Sequence, residues 1–301
     1  MKIRNLLLIL FVIQFTSCKK EEPSPIETAN EEIAYPLTVG NEWSYVRLFS
    51  SFNFRPFQPN VIPPRDETII ERSLVTVSRR DTLLDSIQTI VLRDILYEQA
   101  GTFIGESYYN KKDSWLYFYA YQGISFASPK VSPKQGLLFK GRNFRSLSEI
   151  TSFITGGYGS SLLSSDSLIY ENPQLRSLPT MYRVGDQWSY RASGQPFKID
   201  KKIVGKEFLP AHRGDYECYK IQWYIDINND GEWDEDIEFF DWISSKGLIQ
   251  RSVLYKDLRW TGADDPEPVG MFDGKDEFSL IGLKIQQDSS SSTIVNNTLS
   301  N

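Results

Sequence analysis

Histidine is almost missing from this chain: His212 is the only one in 301 residues. Cysteine is nearly as scarce, with Cys18 and Cys218 alone. Each scarcity closes a class of chemistry. One histidine and one folded-part thiol cannot assemble the ligand set of a zinc site. A Ser–His–Asp triad would have to be built on His212, which lies in Pro210-Ala-His-Arg-Gly-Asp215, a hairpin-loop composition, and no Gly-x-Ser-x-Gly elbow accompanies it. His212 therefore reads as a surface residue, and no catalytic residue is assigned. Positive charge is also short. Lys and Arg number 33 against 39 Asp and Glu, a formal net charge of −6, which argues against a nucleic-acid partner. Helical periodicity is nearly absent as well. Its best exception is Ser146 to Ile154, where Ser146 and Glu149 stand at capping-box spacing.

The apolar run Leu6 to Phe15 lies at the start, behind Lys2 and Arg4 and ahead of Thr16-Ser17-Cys18. It is too short to span a bilayer and has the flanks of a secretory leader. Phe15-Thr16-Ser17-Cys18 resembles a bacterial lipobox, with Phe15 where Leu is usual. The resemblance implies cleavage after residue 17, acylation of Cys18 and attachment to the membrane through that lipid. Lys19-Lys20-Glu21-Glu22 resembles the surface-export signal of Bacteroidota lipoproteins. The implied address is the outer membrane, on its periplasmic or cell-surface face. Loss of Lys2 and Arg4 with the leader takes the net charge from −6 to −8. Cys218 would then have no partner for an internal disulfide. It sits in an alternating strand pattern, as a small buried hydrophobe would.

What the chain has in quantity is strand-forming sequence. Val39-Gly-Asn-Glu-Trp-Ser-Tyr45 recurs as Val184-Gly-Asp-Gln-Trp-Ser-Tyr190. Gly beside Asn or Asp predicts a turn, and Trp and Tyr two apart predict one face of the strand that follows. β-branched and aromatic runs cover Ile69 to Val77, Ser86 to Leu96, Trp115 to Tyr121, Phe197 to Val204, Tyr216 to Ile227, Ile237 to Ile243 and Leu248 to Tyr255. A second echo pairs Ser132-Pro-Lys-Gln-Gly-Leu-Leu-Phe-Lys140 with Ser244-Ser-Lys-Gly-Leu-Ile-Gln-Arg251. Two echoes in the same order predict an internal repeat. The expected fold is all-β, two similar antiparallel sheet modules in tandem, curved or sandwich-like, with little helix. The expected divisions are leader 1–17, tether 18–34, module one 35–145, connector 146–180, module two 181–285 and tail 286–301. Ser50 to Arg65 reads as a Pro- and Phe-rich loop, and Phe278 to Ile285 as a last strand. Tyr35-Pro-Leu-x-Val-Gly-Asn-x-Trp-x-Tyr45 and Lys246-Gly-Leu-Ile249 resemble segments of uncharacterised Bacteroidota lipoproteins, which implies an envelope location and a β-rich fold but supplies no site residues.

One stretch has metal-binding chemistry. In Asp226-Ile-Asn-Asn-Asp-Gly-Glu-Trp-Asp-Glu-Asp236, oxygen ligands alternate and Gly231 stands sixth, as in a calcium loop. The expected ligands are Asp226, Asn228, Asp230, Glu232, Asp234 and Asp236. Position twelve is Ile237, not the usual bidentate acid, and Asn229-Asp230-Gly231 is also a good hairpin turn without any metal. Among the tryptophans, Trp115, Trp223, Trp242 and Trp260 read as packing residues, and Trp233 stands apart inside the acidic loop. The function these features support is a lipid-anchored envelope protein with a binding or structural role, with calcium as the candidate cofactor. Two alternatives are a carrier or chaperone of apolar ligands such as lipids, which requires an open apolar concavity, and a glycan-active envelope enzyme, which requires two converging carboxylates beside exposed Trp. Neither ligand nor protein partner is identified by the sequence.

Overall fold

Alternation of apolar and polar residues dominates the computed structural model, which describes residues 31–32, 35–61, 66–98, 101–126, 136–144, 146–155, 168–194, 196–211, 214–261 and 267–286. Cys18 with its leader, most of the tether, His212 and nearly all of the tail lie outside the described residues. The strands are β1 (Glu31–Glu32), β2 (Glu42–Pro56), β3 (Glu67–Leu83), β4 (Ile87–Glu98), β5 (Gly101–Lys112), β6 (Trp115–Phe126), β7 (Gly136–Phe139), β8 (Arg142–Phe144), β9 (Ile169–Pro179), β10 (Met181–Tyr182), β11 (Gln187–Arg191), β12 (Lys198–Ala211), β13 (Gly214–Asp226), β14 (Ile237–Ser244), β15 (Gly247–Thr261) and β16 (Pro268–Lys284). Among the described residues the single helix, α1, spans Leu147–Thr155.

The expected all-β antiparallel class holds. The main sheet runs β11-β12-β13-β14-β15-β16-β2-β3-β4-β5-β6-β9. It consists of two meanders, β2 to β6 and β11 to β16. They do not form separate sheets. β16 pairs along β2 from Lys284↔Glu42 to Gly270↔Pro56 and joins the halves edge to edge. The two ends of the path then meet, with Trp188 Nε1 on β11 donating to Arg176 O on β9 at 3.0 Å. The sheet is thus rolled into a nearly closed barrel of twelve strands. Side chains fill the interior at about eight strands, so a twelve-stranded roll is too wide for them alone. α1 occupies part of the space. Leu147, Ile150, Thr151, Phe153 and Ile154 are all buried along one broad face of the helix, while Ser148, Glu149, Ser152 and Thr155 on the other face are only partly covered. Its start follows the capping expectation: the Glu149 amide donates to Ser146 Oγ at 3.2 Å.

The two copies of the turn motif form the same local structure. Gly40 and Gly185 have φ of 91° and 99°, a region that a side chain disfavours. Gly40 N donates to Val77 O at 2.9 Å, and Gly185 N to Ile203 O at 2.8 Å. Val77 N and Ile203 N donate back to Asn41 O and Asp186 O, both at 2.9 Å. The indole and phenol of each copy then cap carbonyls elsewhere. Trp43 Nε1 donates to Lys246 O at 2.6 Å and Tyr45 Oη to Leu248 O at 3.0 Å. Tyr190 Oη donates to Thr155 O at 2.9 Å, at the C-terminal end of α1.

Three segments differ from their expected form. β2 continues through Ser50 to Pro56 because Phe54 stacks on Phe272 of β16 and Arg55 pairs with Asp273. β16 begins at Pro268, ten residues before Phe278, since it has β2 and β15 to pair with along its length. Gly136 to Phe139 does not take the place that Gly247 takes in its own half. It is a short strand, β7, that pairs with the far end of β15.

Deep in the barrel, Asp276 of β16 accepts two hydrogen bonds from Arg47 of β2, at 3.0 and 2.7 Å, and one from Thr151 of α1 at 2.6 Å. Asp276→Leu strands the buried Arg47 guanidinium. The expected loss is about 3–5 kcal/mol, since an unpaired buried charge has no water to solvate it. Arg47→Met with Asp276→Leu should recover most of that loss, and chemical denaturation of the single and double variants checks both.

Candidate functional site: the interior cavity

Charged side chains stand on the apolar face of several strands. On β12 the inward row is Ile199, Lys201 and Ile203, on β14 it is Phe239, Asp241 and Ile243, and on β15 it includes Arg251 beside Val253 and Tyr255. Burying such groups costs several kcal/mol each unless they are paired. Most are paired. Arg251 makes a two-pronged ion pair with Asp241, Nε–Oδ1 2.6 Å and Nη2–Oδ2 3.0 Å, and Trp223 Nε1 adds a third hydrogen bond to Asp241 at 3.0 Å.

These groups border a cavity of about 390 Å³ inside the barrel. Every one of the twelve strands contributes to its lining, as do Ser152 and Thr155 of α1. The walls are rich in rings: Tyr35, Tyr45, Tyr109, Tyr190, Trp223 and Phe278 all face it. Burial pushes these phenols upward, Tyr35 to about 12, so they stay neutral and act as hydrogen-bonding groups with apolar faces. The Tyr109 hydroxyl has no hydrogen-bond partner among the described residues.

Lys201 is the least compensated charge in this lining. It is 3% exposed. Its ammonium lies 3.6 Å from the centre of the Trp223 ring and 3.9 Å from that of Tyr190, an aromatic cleft of the kind that holds cations. Its one hydrogen bond is long, 3.4 Å to Ser177 O. No carboxylate lies within ion-pair distance of it among the described residues. Burial pushes the amine well below the usual lysine range, and Asp241 opposes that shift.

Across the barrel, on β4, is Asp94. Its carboxyl is raised by burial against the Ser73 hydroxyl that donates to it and the distant Arg47. It nevertheless keeps an exposed surface. The reason lies in the register: Asp94 pairs with Gly105 on β5, and Gly105 pairs with Gly123 on β6. A Cβ on Gly105 would meet nothing closer than Gln122 O at 3.9 Å. The backbone of Gly105 does not need glycine for its φ, so what the residue contributes is space, a notch in the wall beside an acid.

The acidic loop lies elsewhere, between β13 and β14. The Asp226 carboxylate accepts from Asp230 N and Gly231 N at 3.1 Å each, and Asp230 Oδ1 accepts from Glu232 N at 2.8 Å. Asn228 Nδ2 donates to Asp230 Oδ2 at 2.6 Å. Asp234 and Asp236 share Lys140, at 2.7 and 2.9 Å. Gly231 and Asn229 turn the chain with φ of 95° and 56°. Among the described residues, no three acids, histidines or cysteines are grouped to hold a metal. Calcium at this loop would require Asp226 and Asp230 to exchange backbone amides for the ion. Trp233 packs against Tyr224 and lies under Lys198, while Trp223 and Trp242 are buried. Cys218 is free and buried, as its strand pattern implies. Of the residues that line the cavity, Tyr35, Tyr45 and Tyr190 belong to the sequence motifs and Trp223 reads as a packing residue, whereas Lys201, Asp241 and Asp94 belong to no motif.

No family model matches the sequence, and no curated protein does. Two solved structures are similar. One is a protein of Bacteroides fragilis NCTC 9343 described as exported and as having a YmcC-like fold, at TM-score 0.37 and 12% identity, covering 84% of this chain and 100% of that one. The other is described as a lipoprotein of Parabacteroides distasonis ATCC 8503, at TM-score 0.34 and 15% identity, covering 83% and 97%. At these scores neither likeness carries an inference about this chain.

Two predictions follow from the charges. Lys201→Met should raise stability by about 1 kcal/mol, because methionine fills the same slot without the desolvation cost. The sign with pH is fixed by the direction of the shift. Below the ordinary lysine value of 10.5 the unfolded chain holds the proton more tightly than the folded one, so the native protein gains stability relative to Lys201→Met as pH rises through that window. Denaturation at several pH values checks both. At the acidic loop, Lys140→Met leaves Asp234 and Asp236 facing each other and should lower the melting temperature. Repeating the scan with calcium and with chelator reads whether an ion also serves the loop: a calcium-dependent rise in melting temperature, lost in Asp230→Ala, is the signature of a metal site.

Proposed function

We propose that this is a lipid-anchored protein of the Gram-negative outer membrane that holds a small amphipathic molecule inside its barrel. One observation carries the reading: a cavity of about 390 Å³, lined by all twelve strands and α1, with rings and charged groups together in its walls. A volume in this range is typical of small-ligand sites, which combine apolar walls with a few placed polar groups. A chamber of that size suits a compact molecule of a few fused or linked rings and not a two-chain lipid. The reading merges the binding role with the carrier alternative and narrows the latter, because the walls are amphipathic and not purely apolar.

The anchor is the acylated Cys18, supported by the leader and lipobox in the sequence. The barrel itself is not a lipid-facing one in this proposal. Its outward rows carry charge pairs such as Lys256–Glu238, with side chains 43% and 47% exposed, where a bilayer demands an apolar band. Duplication of an ancestral meander accounts for the matching hydrogen bonds of the two turn motifs. Calcium, as part of the same proposal, would stabilise the β13–β14 loop and take no part in the cavity.

Two measurements test this. Cys18→Ala should release the protein from membranes, and continued membrane association would defeat the anchor. The uncharged probe N-phenyl-1-naphthylamine should bind the chain from Lys19 onward saturably, one per barrel. Gly105→Phe, which fills the notch, should weaken that binding at least tenfold with the fold intact by circular dichroism. Unchanged binding in Gly105→Phe would place the probe outside the barrel.

A further inference from the structure

Among the described residues, the chamber contains one cation without a counter-ion. Arg251 is neutralised by Asp241, and Arg47 by Asp276. Arg191, near the end of α1, has Glu171 at 3.4 Å and Ile154 O at 3.5 Å. Among the described residues, Lys201 has only rings and one distant carbonyl beside its ammonium. An ammonium has three donors, and leaving two of them unmatched in a buried site is costly. An acceptor arriving with a ligand would meet that cost. Charge on the opposite wall limits what that ligand can be. Lys201 on β12 and Asp94 on β4 are five strands apart one way round the barrel and seven the other, so they face each other across its width. A second anionic group at the Asp94 end would meet an acid with no cation within ion-pair distance among the described residues. Tyrosine rings form much of the remaining lining, and the Tyr109 hydroxyl has no hydrogen-bond partner among the described residues.

Building on the cavity reading, we infer that the ligand is an amphipathic organic monoanion, with its anionic group on the Lys201 ammonium and its apolar or ring-bearing body along the tyrosine walls toward the Gly105 notch. Trp223 and Tyr190 position the ammonium in the cleft between their tilted rings, and Asp241 lies close enough to favour the charged amine without closing an ion pair. The selectivity that results is for one negative charge. A neutral isostere leaves the ammonium unmatched, and a dianion brings its second charge to Asp94. Carboxylate, sulfonate and phosphomonoanion share this chemistry.

A matched pair of probes isolates the charge. 8-Anilinonaphthalene-1-sulfonate and N-phenyl-1-naphthylamine share one ring body, and only the first carries an anionic group. Each is titrated by fluorescence into the chain from Lys19 onward, which contains every described element. The expected result is that Lys201→Met lowers the ratio of sulfonate to neutral-probe affinity at least tenfold, the size of one charge-assisted hydrogen bond. Lys201→Gln should do the same, and octanoate should displace the sulfonate probe from the unmodified protein. A ratio unchanged in both variants, with the neutral probe still bound and still sensitive to Gly105→Phe, overturns the anion inference and leaves the cavity reading standing. If neither probe binds, or neither responds to Gly105→Phe, both fall together.

Discussion

Asp276 ties three distant parts of the chain to one carboxylate. Arg47 reaches it from the first strand of the barrel, Thr151 from the helix between the two meanders, and the acid itself sits on the last strand. The Thr151 hydroxyl has one proton, and it goes to the carboxylate as the stronger acceptor, so Tyr255 donates to Thr151 at 2.8 Å. Arg47 also donates to Ser148 at 2.9 Å, one turn earlier on α1. Barrel closure and helix placement are therefore one event. Without the β16–β2 pairing there is no ring of strands, and without α1 seated against it the ring has no inner wall.

That coupling explains why the interior is partly empty. Twelve strands enclose more volume than their own side chains fill, and α1 takes only part of the excess. The remainder is the cavity. Its borders are held by ion pairs that bring no obvious gain over well-packed apolar residues, because the desolvation of buried charges offsets much of their attraction. Lys201 does not have even that compensation. Among the described residues its ammonium has no counter-ion, which stability alone does not explain and the proposed ligand does. Local departures from good folding practice concentrate at functional sites, and here the departure coincides with the empty volume and with the Gly105–Gly123 notch.

The sequence made the strands legible, because runs such as Tyr216 to Ile227 and Ile237 to Ile243 are too rich in β-branched and aromatic residues to be anything else. It also made the turn motif legible, and the matching hydrogen bonds at Gly40 and Gly185 show why Gly is needed there. The closure of both meanders into one barrel was not legible, because the β16–β2 pairing joins residues more than two hundred positions apart. The cavity residues were partly within reach. A strand that buries Phe197, Ile199 and Ile203 also buries whatever stands at position 201, and the same parity exposes Asp241, Arg251 and Asp276 as charges on apolar faces. The acidic loop drew attention because its residues are adjacent in sequence, whereas the chamber is assembled from one or two residues per strand and has no contiguous motif.

The most direct measurement is a crystal structure of the protein grown with 8-anilinonaphthalene-1-sulfonate. The account predicts one probe inside the barrel, its sulfonate within hydrogen-bond distance of Lys201 Nζ and its rings against Tyr190 and Trp223. A barrel interior without probe, with the rings seated on the outer face of the sheet, would contradict it.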